Sequence, residues 1–214
     1  MIVPKVCADP QEAAAAVVEV FLGAAPASVA LAGGSTPLLT YQLLSRSAHP
    51  WDRTDIFLTD ERCVPLDNPQ SNHRMVNETL GTTGARIHPV DTSLPPEEAA
   101  SRYAEELGEF LPLDFVLLGV GADGHTASLF QGADLDPGGD VAAAWSKESG
   151  LWRVTLTSRP LVGAHQLVYL VIGPEKAPVV ERMLRGDAIP AVRIAESRDV
   201  ILVCDLAAIG SAVA

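Results

Sequence analysis

Positive charge is scarce in this chain: 15 Lys and Arg stand against 27 Asp and Glu, a formal net charge of −12. A surface of that sign is repelled by phosphate backbones and anionic bilayers, so nucleic acid and membrane are excluded as main partners. A small anionic ligand is not excluded, because a few local Arg or Lys suffice to hold it. Cysteine is scarce too. Cys7, Cys63 and Cys204 are scattered, with no C-x-x-C pair. That odd count fits reduced, structural thiols in a cytoplasmic protein rather than a disulfide framework. No apolar run approaches the roughly 20 residues of a spanning helix, and the start, "MIVPKVCADP", lacks the apolar stretch of a signal peptide. The five His and three Cys show no zinc-ligand spacing, so no metal is expected. Neither a repeat nor a long linker divides the chain, and residues 1–214 are expected to form a single domain.

What is present is the composition of a packed core, with 48% hydrophobic and 20% charged residues. Asp9, Pro10 and Glu12 form a helix start: an N-cap, a first-turn proline and a capping-box partner. Helices are expected over "QEAAAAVVEVFL", "PLLTYQLLSR", "SNHRMVNETL" with Ser71 as cap, "PPEEAASRYAEELGEF", "PEKAPVVERMLRG" and "LAAIGSAV". Strands are expected over "SVALAGG", "TDIFLTDE", "DFVLLGV", "LWRVTLT", "HQLVYLVIG" and "DVILVCD". Such alternation predicts an α/β fold with a mainly parallel sheet and helices on both faces. The Pro- and Gly-rich piece at 132–140 is the best candidate for a mobile loop.

In such sheets ligands bind beyond the C-terminal strand ends. Three segments place small or polar residues there. The first, "GVGADG" at 119–124, matches the dinucleotide fingerprint G-x-G-x-x-G. That fingerprint needs a long helix next, and an acidic residue roughly 20 residues on. Here "HTASLF" leaves room for about two helical turns before a glycine-rich loop, so a nicotinamide cradle is rejected. The glycines instead suit a tight turn that lets backbone approach a ligand. Asp123 and His125 then become candidates for chemistry. An ordinary imidazole titrates near ~6.5, suited to taking a proton at neutral pH. A neighbouring carboxylate fixes its tautomer and supports its cation.

The second segment, "AGGSTP", contains Gly33, Gly34, Ser35 and Thr36 just before a helix. It reads either as a phosphate-receiving loop or as a plain turn with a helix cap. It matches neither the P-loop nor the nucleophile elbow. The third, "TDERCVPLDNPQSNHRM", packs Asp60, Glu61, Arg62, Asn72, His73 and Arg74 into a short span. It reads either as an exposed polar loop or as part of a site. Arg74, near a helix start, suits a phosphate or carboxylate clamp, and Lys176, after "VIG", a second cationic contact.

Four blocks, "LAGGSTPLLTYQLL", "TDERCVPLDNPQSNHRM", "LLGVGADGHTASLF" and "VIGPEKAPVVERMLRG", resemble in order the signature blocks of the 6-phosphogluconolactonase family. That family shares a superfamily with glucosamine-6-phosphate isomerases and deaminases. The resemblance implies a modified Rossmann-like fold and hydrolysis of 6-phospho-D-glucono-1,5-lactone, a phosphorylated sugar lactone, in the pentose phosphate pathway. It implies His125 as catalytic histidine with Asp123 as companion, and Gly33, Gly34, Ser35 and Thr36 near the substrate. It further implies Arg74 and Lys176 at the phosphate, and Asp60 and Arg62 lining the site. The implied reaction is His-assisted attack of water on the lactone carbonyl, without cofactor. Ala32 departs from a common Ser, Gln131 from a common Pro, and the stretch after Gly132 is short. The rivals are an isomerase or deaminase using Asp60 as base, and a non-catalytic sugar-phosphate sensor. A monomer or weak homo-oligomer is expected.

Overall fold

The computed structural model describes residues 1–210. The chain runs β1 (Ile2–Cys7), α1 (Pro10–Ala24), β2 (Ser28–Leu31), α2 (Leu38–Leu44), β3 (Asp55–Leu58), β4 (Asp60–Arg62), α3 (Asn72–Leu80), β5 (Arg86–Ile87) and α4 (Pro96–Gly108). It continues with β6 (Phe115–Leu118), β7 (Val141–Ser146), β8 (Leu151–Leu156), α5 (Ser158–Gly163), β9 (Gln166–Val171), α6 (Ala177–Arg185), α7 (Pro190–Ala195), β10 (Val200–Asp205) and α8 (Leu206–Ile209). Among the described residues, no helix is long and apolar enough to cross a membrane.

Seven strands form one sheet in the order β1-β10-β9-β6-β2-β3-β5, with every neighbour pair parallel. The central strands β2, β3 and β6 are buried on both faces because helices cover both. Along β2, Val29 and Leu31 face a core built with Phe21 of α1, Tyr41 of α2 and Leu80 of α3. Ala30, between them, faces the opposite core, with Tyr103 of α4 and Val180 of α6. That is the period-two alternation of a pleated strand, here with a hydrophobic layer on each side. The expected α/β architecture is therefore present.

The strand order sets the position of the site. From β2 the chain moves outward through β3 to β5, then returns to the other side of β2 as β6. The connections after β2 and β6 therefore diverge and leave a crevice at their C-terminal ends, the topological switch point where α/β sheets bind ligands.

A smaller antiparallel sheet, β4-β8-β7, stands beside this crevice. The run "TDIFLTDE", expected as one strand, is divided between two sheets at Thr59. Its N–H donates to Leu31 in the parallel sheet at 3.0 Å, while its carbonyl accepts from Leu156 of β8 at 2.9 Å. The expected strand at 151–156 belongs to this antiparallel sheet as well. The short β5 leaves the Leu58 N–H without a strand partner, and the Tyr103 hydroxyl accepts it at 2.7 Å.

Other differences have simple causes. β1 lies at a sheet edge and carries Pro4 and Lys5, which mask its strand pattern. β7 is "VAAAWS", whose alanines carry little strand preference. The short helices α5 and α7 and the two-residue β5 also went unread. The "HTASLF" stretch after the glycine turn forms further turns, with Ala127 at φ 48°. In the irregular 132–140 piece, Leu135 is buried in the core and anchors the loop. Part of the last expected helix, 211–213, lies outside the described residues.

Candidate functional site

The crevice is a cavity of about 630 Å³. Its walls come from the loop after β2, the loop after β6, the start of β4, the start of α3, the β7–β8 hairpin and the turn before α6.

The loop after β6 carries the reactive candidates. The Gly124 N–H donates to the Gly121 carbonyl at 2.9 Å, and the Gly121 N–H to the His125 carbonyl at 2.8 Å. Thr126 closes the loop through its hydroxyl to the Gly119 carbonyl at 2.8 Å. This tight turn brings Asp123 Oδ1 within 2.6 Å of His125 Nδ1 and 3.1 Å of the His125 N–H. The pair lies over Gly121, where an added Cβ would sit 2.2 Å from the imidazole ring. The fingerprint glycine thus makes room for a side-chain pair, not a pyrophosphate. Partial burial pushes the Asp123 carboxyl up, but the His125 N–H, charge and imidazole together hold it below the usual carboxylate value. An ionised Asp123 accepts from Nδ1–H and leaves Nε2 as the basic nitrogen.

The loop after β2 forms the facing wall with Gly33, Gly34 and Thr36. Tyr41 anchors its start by donating to the Ala32 carbonyl at 2.7 Å. Gly34 has φ 89°, a left-handed conformation that favours glycine. At Gly33 an added Cβ would fall 1.9 Å from Asn72 Oδ1, so this glycine admits the Asn72 side chain. Among the described residues, the backbone N–H groups of Gly34, Ser35 and Thr36 have no protein acceptor. Ser35 itself is exposed and its side chain does not line the cavity.

The third wall rests on a carboxylate that sequence reading left open as exposed loop or site. Glu61 is fully buried. Its oxygens accept from the N–H groups of Arg62, Asn72 and His73 at 2.7, 2.8 and 2.7 Å and from the Ser71 hydroxyl at 2.9 Å. Burial pushes the Glu61 carboxyl above its ordinary value, against these four hydrogen bonds. Glu61 thus caps the first turn of α3, whose N–H groups have no intrahelical partner, and locks it onto β4. Asn72 then bridges the wall: its amide donates to the Asp60 carbonyl at 2.7 Å, and its Oδ1 accepts from Arg62 at 3.0 Å.

The cavity therefore gathers most of the expected residues: Gly33, Gly34, Thr36, Asp60, Arg62, Asp123, His125 and Lys176. Lys176 donates to the Val120 carbonyl at 2.9 Å, which holds its ammonium at the cavity edge. Arg74 is not brought in. Its guanidinium pairs with Glu78 at 2.7 Å and donates to the Asp67 carbonyl at 3.0 Å, on the outer side of α3. The reason is helical phase: Asn72 takes the inward position at the helix start, and Arg74, two residues on, points elsewhere.

Two lining residues escaped the sequence reading, Glu148 and Arg153. Arg153 lies on β8, 3.3 Å from Asp60 Oδ2, with its side chain only 14% exposed. A charged residue inside the apolar strand "LWRVTL" is the signal that could have found it. Glu148 sits in the hairpin turn and has no such signal. The cavity cations are thus Arg62, Arg153 and Lys176. Among the described residues, no group of three or more His, Cys, Asp or Glu is arranged to hold a metal ion.

Fold and cleft together define a class: α/β proteins with a histidine–carboxylate pair and a glycine-rich loop facing each other across the switch point of a parallel sheet. Residues 4–203 match the family described as glucosamine-6-phosphate isomerases/6-phosphogluconolactonase, and the chain belongs to that family. It is 41% identical to a 6-phosphogluconolactonase of Thermotoga maritima over 172 residues, 76% of this chain and 77% of that protein. It is 36% identical to a 6-phosphogluconolactonase of Synechocystis over 176 residues, 76% of this chain and 73% of that protein. The solved 6-phosphogluconolactonase of Trypanosoma brucei superimposes with a TM-score of 0.86 at 30% identity, over 97% of each chain.

Proposed function

We propose that this chain hydrolyses 6-phospho-D-glucono-1,5-lactone to 6-phospho-D-gluconate, the lactone-opening step of the pentose phosphate pathway. The observation that carries the reading is the 2.6 Å contact between Asp123 and His125 on the wall of the switch-point cavity. The lactonase relatives supply the substrate class.

In this reading the reaction is acyl transfer to water. His125 Nε2 takes a proton from a water molecule, and the oxygen of that water attacks the lactone C1 carbonyl. Asp123 holds the ring through Nδ1 and stabilises the imidazolium that forms. Charge develops on the former carbonyl oxygen, where a nearby cation or loop N–H stabilises it. The imidazolium then returns the proton to the ring oxygen as the C1–O5 bond breaks. General-base assistance of this kind supplies about 10²–10⁴-fold. No cofactor or metal enters any step.

The phosphate is assigned to the opposite wall. The N–H groups of Gly34 and Thr36, which have no protein acceptor among the described residues, and Arg62, tied to the same wall through Asn72, offer donors and charge on one side of the cavity. Arg62 here replaces Arg74 as the clamp, and Lys176 lies on the His125 side. Both sheets contribute to one cleft, which supports reading the chain as one domain. A cytoplasmic monomer or weak homo-oligomer completes the proposal.

The deaminase alternative needs Asp60 as a free base. Its Oδ2 instead accepts from the Ser128 hydroxyl at 2.6 Å and lies 3.3 Å from Arg153, and its Oδ1 accepts from Asn72 at 3.3 Å. Parallel assays separate the two. The chain is expected to accelerate acid release from 6-phosphogluconolactone and to release no ammonia from glucosamine 6-phosphate; the reverse result overturns the assignment.

A further inference from the structure

The loop that carries Asp123 and His125 is held at two consecutive carbonyls by one distant segment. Arg182 of α6 donates from Nη1 to the Asp123 carbonyl at 3.0 Å. The Ala191 N–H donates to the Gly124 carbonyl at 3.1 Å. Between these pins Ile189 lies against Gly124, where an added Cβ would come within 2.7 Å of the Ile189 Cβ. Arg182 is itself braced. Gly186 ends α6 in the left-handed region at φ 77° and turns the chain back. Asp187 then places Oδ2 3.6 Å from Arg182 Nε, while Arg185 holds the same oxygen at 2.9 Å.

We propose that Arg182 is a positioning residue for the reaction, acting through the Asp123 peptide on the orientation of His125. The inference rests on the reading of His125 as general base. The Asp123–His125 contact spans two residues, so its geometry follows directly from the backbone angles at 123 and 124. Glycines at 121 and 124 leave that backbone freer than any other residue would. The loop lies outside helix and strand, and the bonds within its turn, from the Gly121 and Gly124 N–H groups and the Thr126 hydroxyl, leave the Asp123 carbonyl to an external partner. The external bond from Arg182 supplies a constraint at the residue whose carboxylate orients the imidazole. The guanidinium reaches the carbonyl, not the carboxylate, so its role is geometric and separate from that of Asp123. Small misplacements of a reacting group are expensive in rate, while the phosphate wall is untouched by this change.

The test measures kcat and KM for 6-phosphogluconolactone together with the His125 ring tautomer, read by nitrogen-15 NMR at a pH where the ring is neutral. In the wild type the Nδ1–H tautomer is expected. Arg182→Ala is expected to lower kcat about tenfold, as loss of a charge-assisted hydrogen bond would. KM should stay within about twofold, and the ring should shift toward the Nε2–H tautomer. Arg182→Lys, which keeps a cationic donor, is expected to recover most of both. Unchanged kcat and tautomer in Arg182→Ala overturn the proposal, and so does a parallel loss of kcat, KM and thermal stability that lysine does not rescue. If the wild type does not hydrolyse the lactone, the functional reading fails, and the tautomer shift alone decides whether Arg182 orients the pair. If Arg182→Ala does not fold, Asp187→Asn takes its place: a smaller tautomer shift supports the proposal and none contradicts it.

Discussion

Asp123 receives two hydrogen bonds from His125 at a single oxygen, 2.6 Å from Nδ1 and 3.1 Å from the backbone N–H. The backbone bond fixes where the carboxylate stands, and the ring bond then fixes the tautomer. Asp123→Asn keeps the size of the side chain but presents an amide that can hold the opposite tautomer. It is expected to lower kcat by about 10²–10⁴-fold with KM little changed. Steady-state kinetics check this, and a variant with normal kcat removes the carboxylate from the mechanism.

Gly121 is expected to be irreplaceable for activity rather than for folding. An added Cβ would lie 2.2 Å from the His125 ring and 2.8 Å from Asp123 Oδ1, both side-chain atoms that can move away. Gly121→Ala should therefore retain a cooperative thermal transition while losing at least about tenfold in kcat, a barrier change of ~1.4 kcal/mol. Full activity in that variant contradicts the packing of the pair over Gly121.

The phosphate assignment separates two arginines twelve residues apart in sequence. Arg62 lines the cavity and donates to Asn72 at 3.0 Å, whereas Arg74 is engaged with Glu78 on the outside of α3. Charge-assisted contacts to phosphate are typically worth ~1.5–3 kcal/mol. Arg62→Ala is thus expected to reduce kcat/KM for the phosphorylated lactone by roughly one to two powers of ten, and to change little for unphosphorylated gluconolactone. Arg74→Ala should change neither. A selective loss in Arg74→Ala, or equal losses for both lactones in Arg62→Ala, overturns the assignment.

Far from the cleft, Asp55 ties the start of β3 to its neighbours. It accepts from Arg86 Nε at 2.8 Å and lies 2.8 Å from His88 Nε2. The Arg86 guanidinium holds the Asp55 carboxyl below its usual value, against burial that raises it and with further help from His88. A depressed folded-state value means stability present above the unfolded value of about 3.9 and lost as pH falls through the folded one. Urea unfolding should therefore find Asp55→Asn clearly less stable than wild type at neutral pH, with the gap narrowing at strongly acidic pH. A gap of the same size throughout contradicts the linkage.

The parallel sheet was legible because its strands are short apolar runs separated by capped helices, as with Asp9 and Ser71, whose side chains accept from Glu12 and Arg74 N–H groups. The dyad was legible for a local reason: Asp123 and His125 are two residues apart in a glycine turn, so proximity in sequence guarantees proximity in space. Arg153 was not, because its nearness to Asp60 arises only when β8 pairs with β4, a partnership between segments about ninety residues apart. Arg74 misled for the complementary reason. Its position near a helix start suggested an anion clamp, but the direction of a side chain depends on which helical face the tertiary contacts turn inward. At 61 it is Glu61, fully buried under the first turn of α3, that sets this face.

The most direct measurement is the rate of 6-phosphogluconate formation from fresh lactone at neutral pH, corrected for spontaneous opening, with wild type and His125→Ala side by side. Wild type is expected to exceed the spontaneous rate by orders of magnitude, and His125→Ala to lose about 10²–10⁴-fold in kcat with an intact fold. A folded His125→Ala protein that turns over the lactone as fast as wild type would contradict the account at its centre.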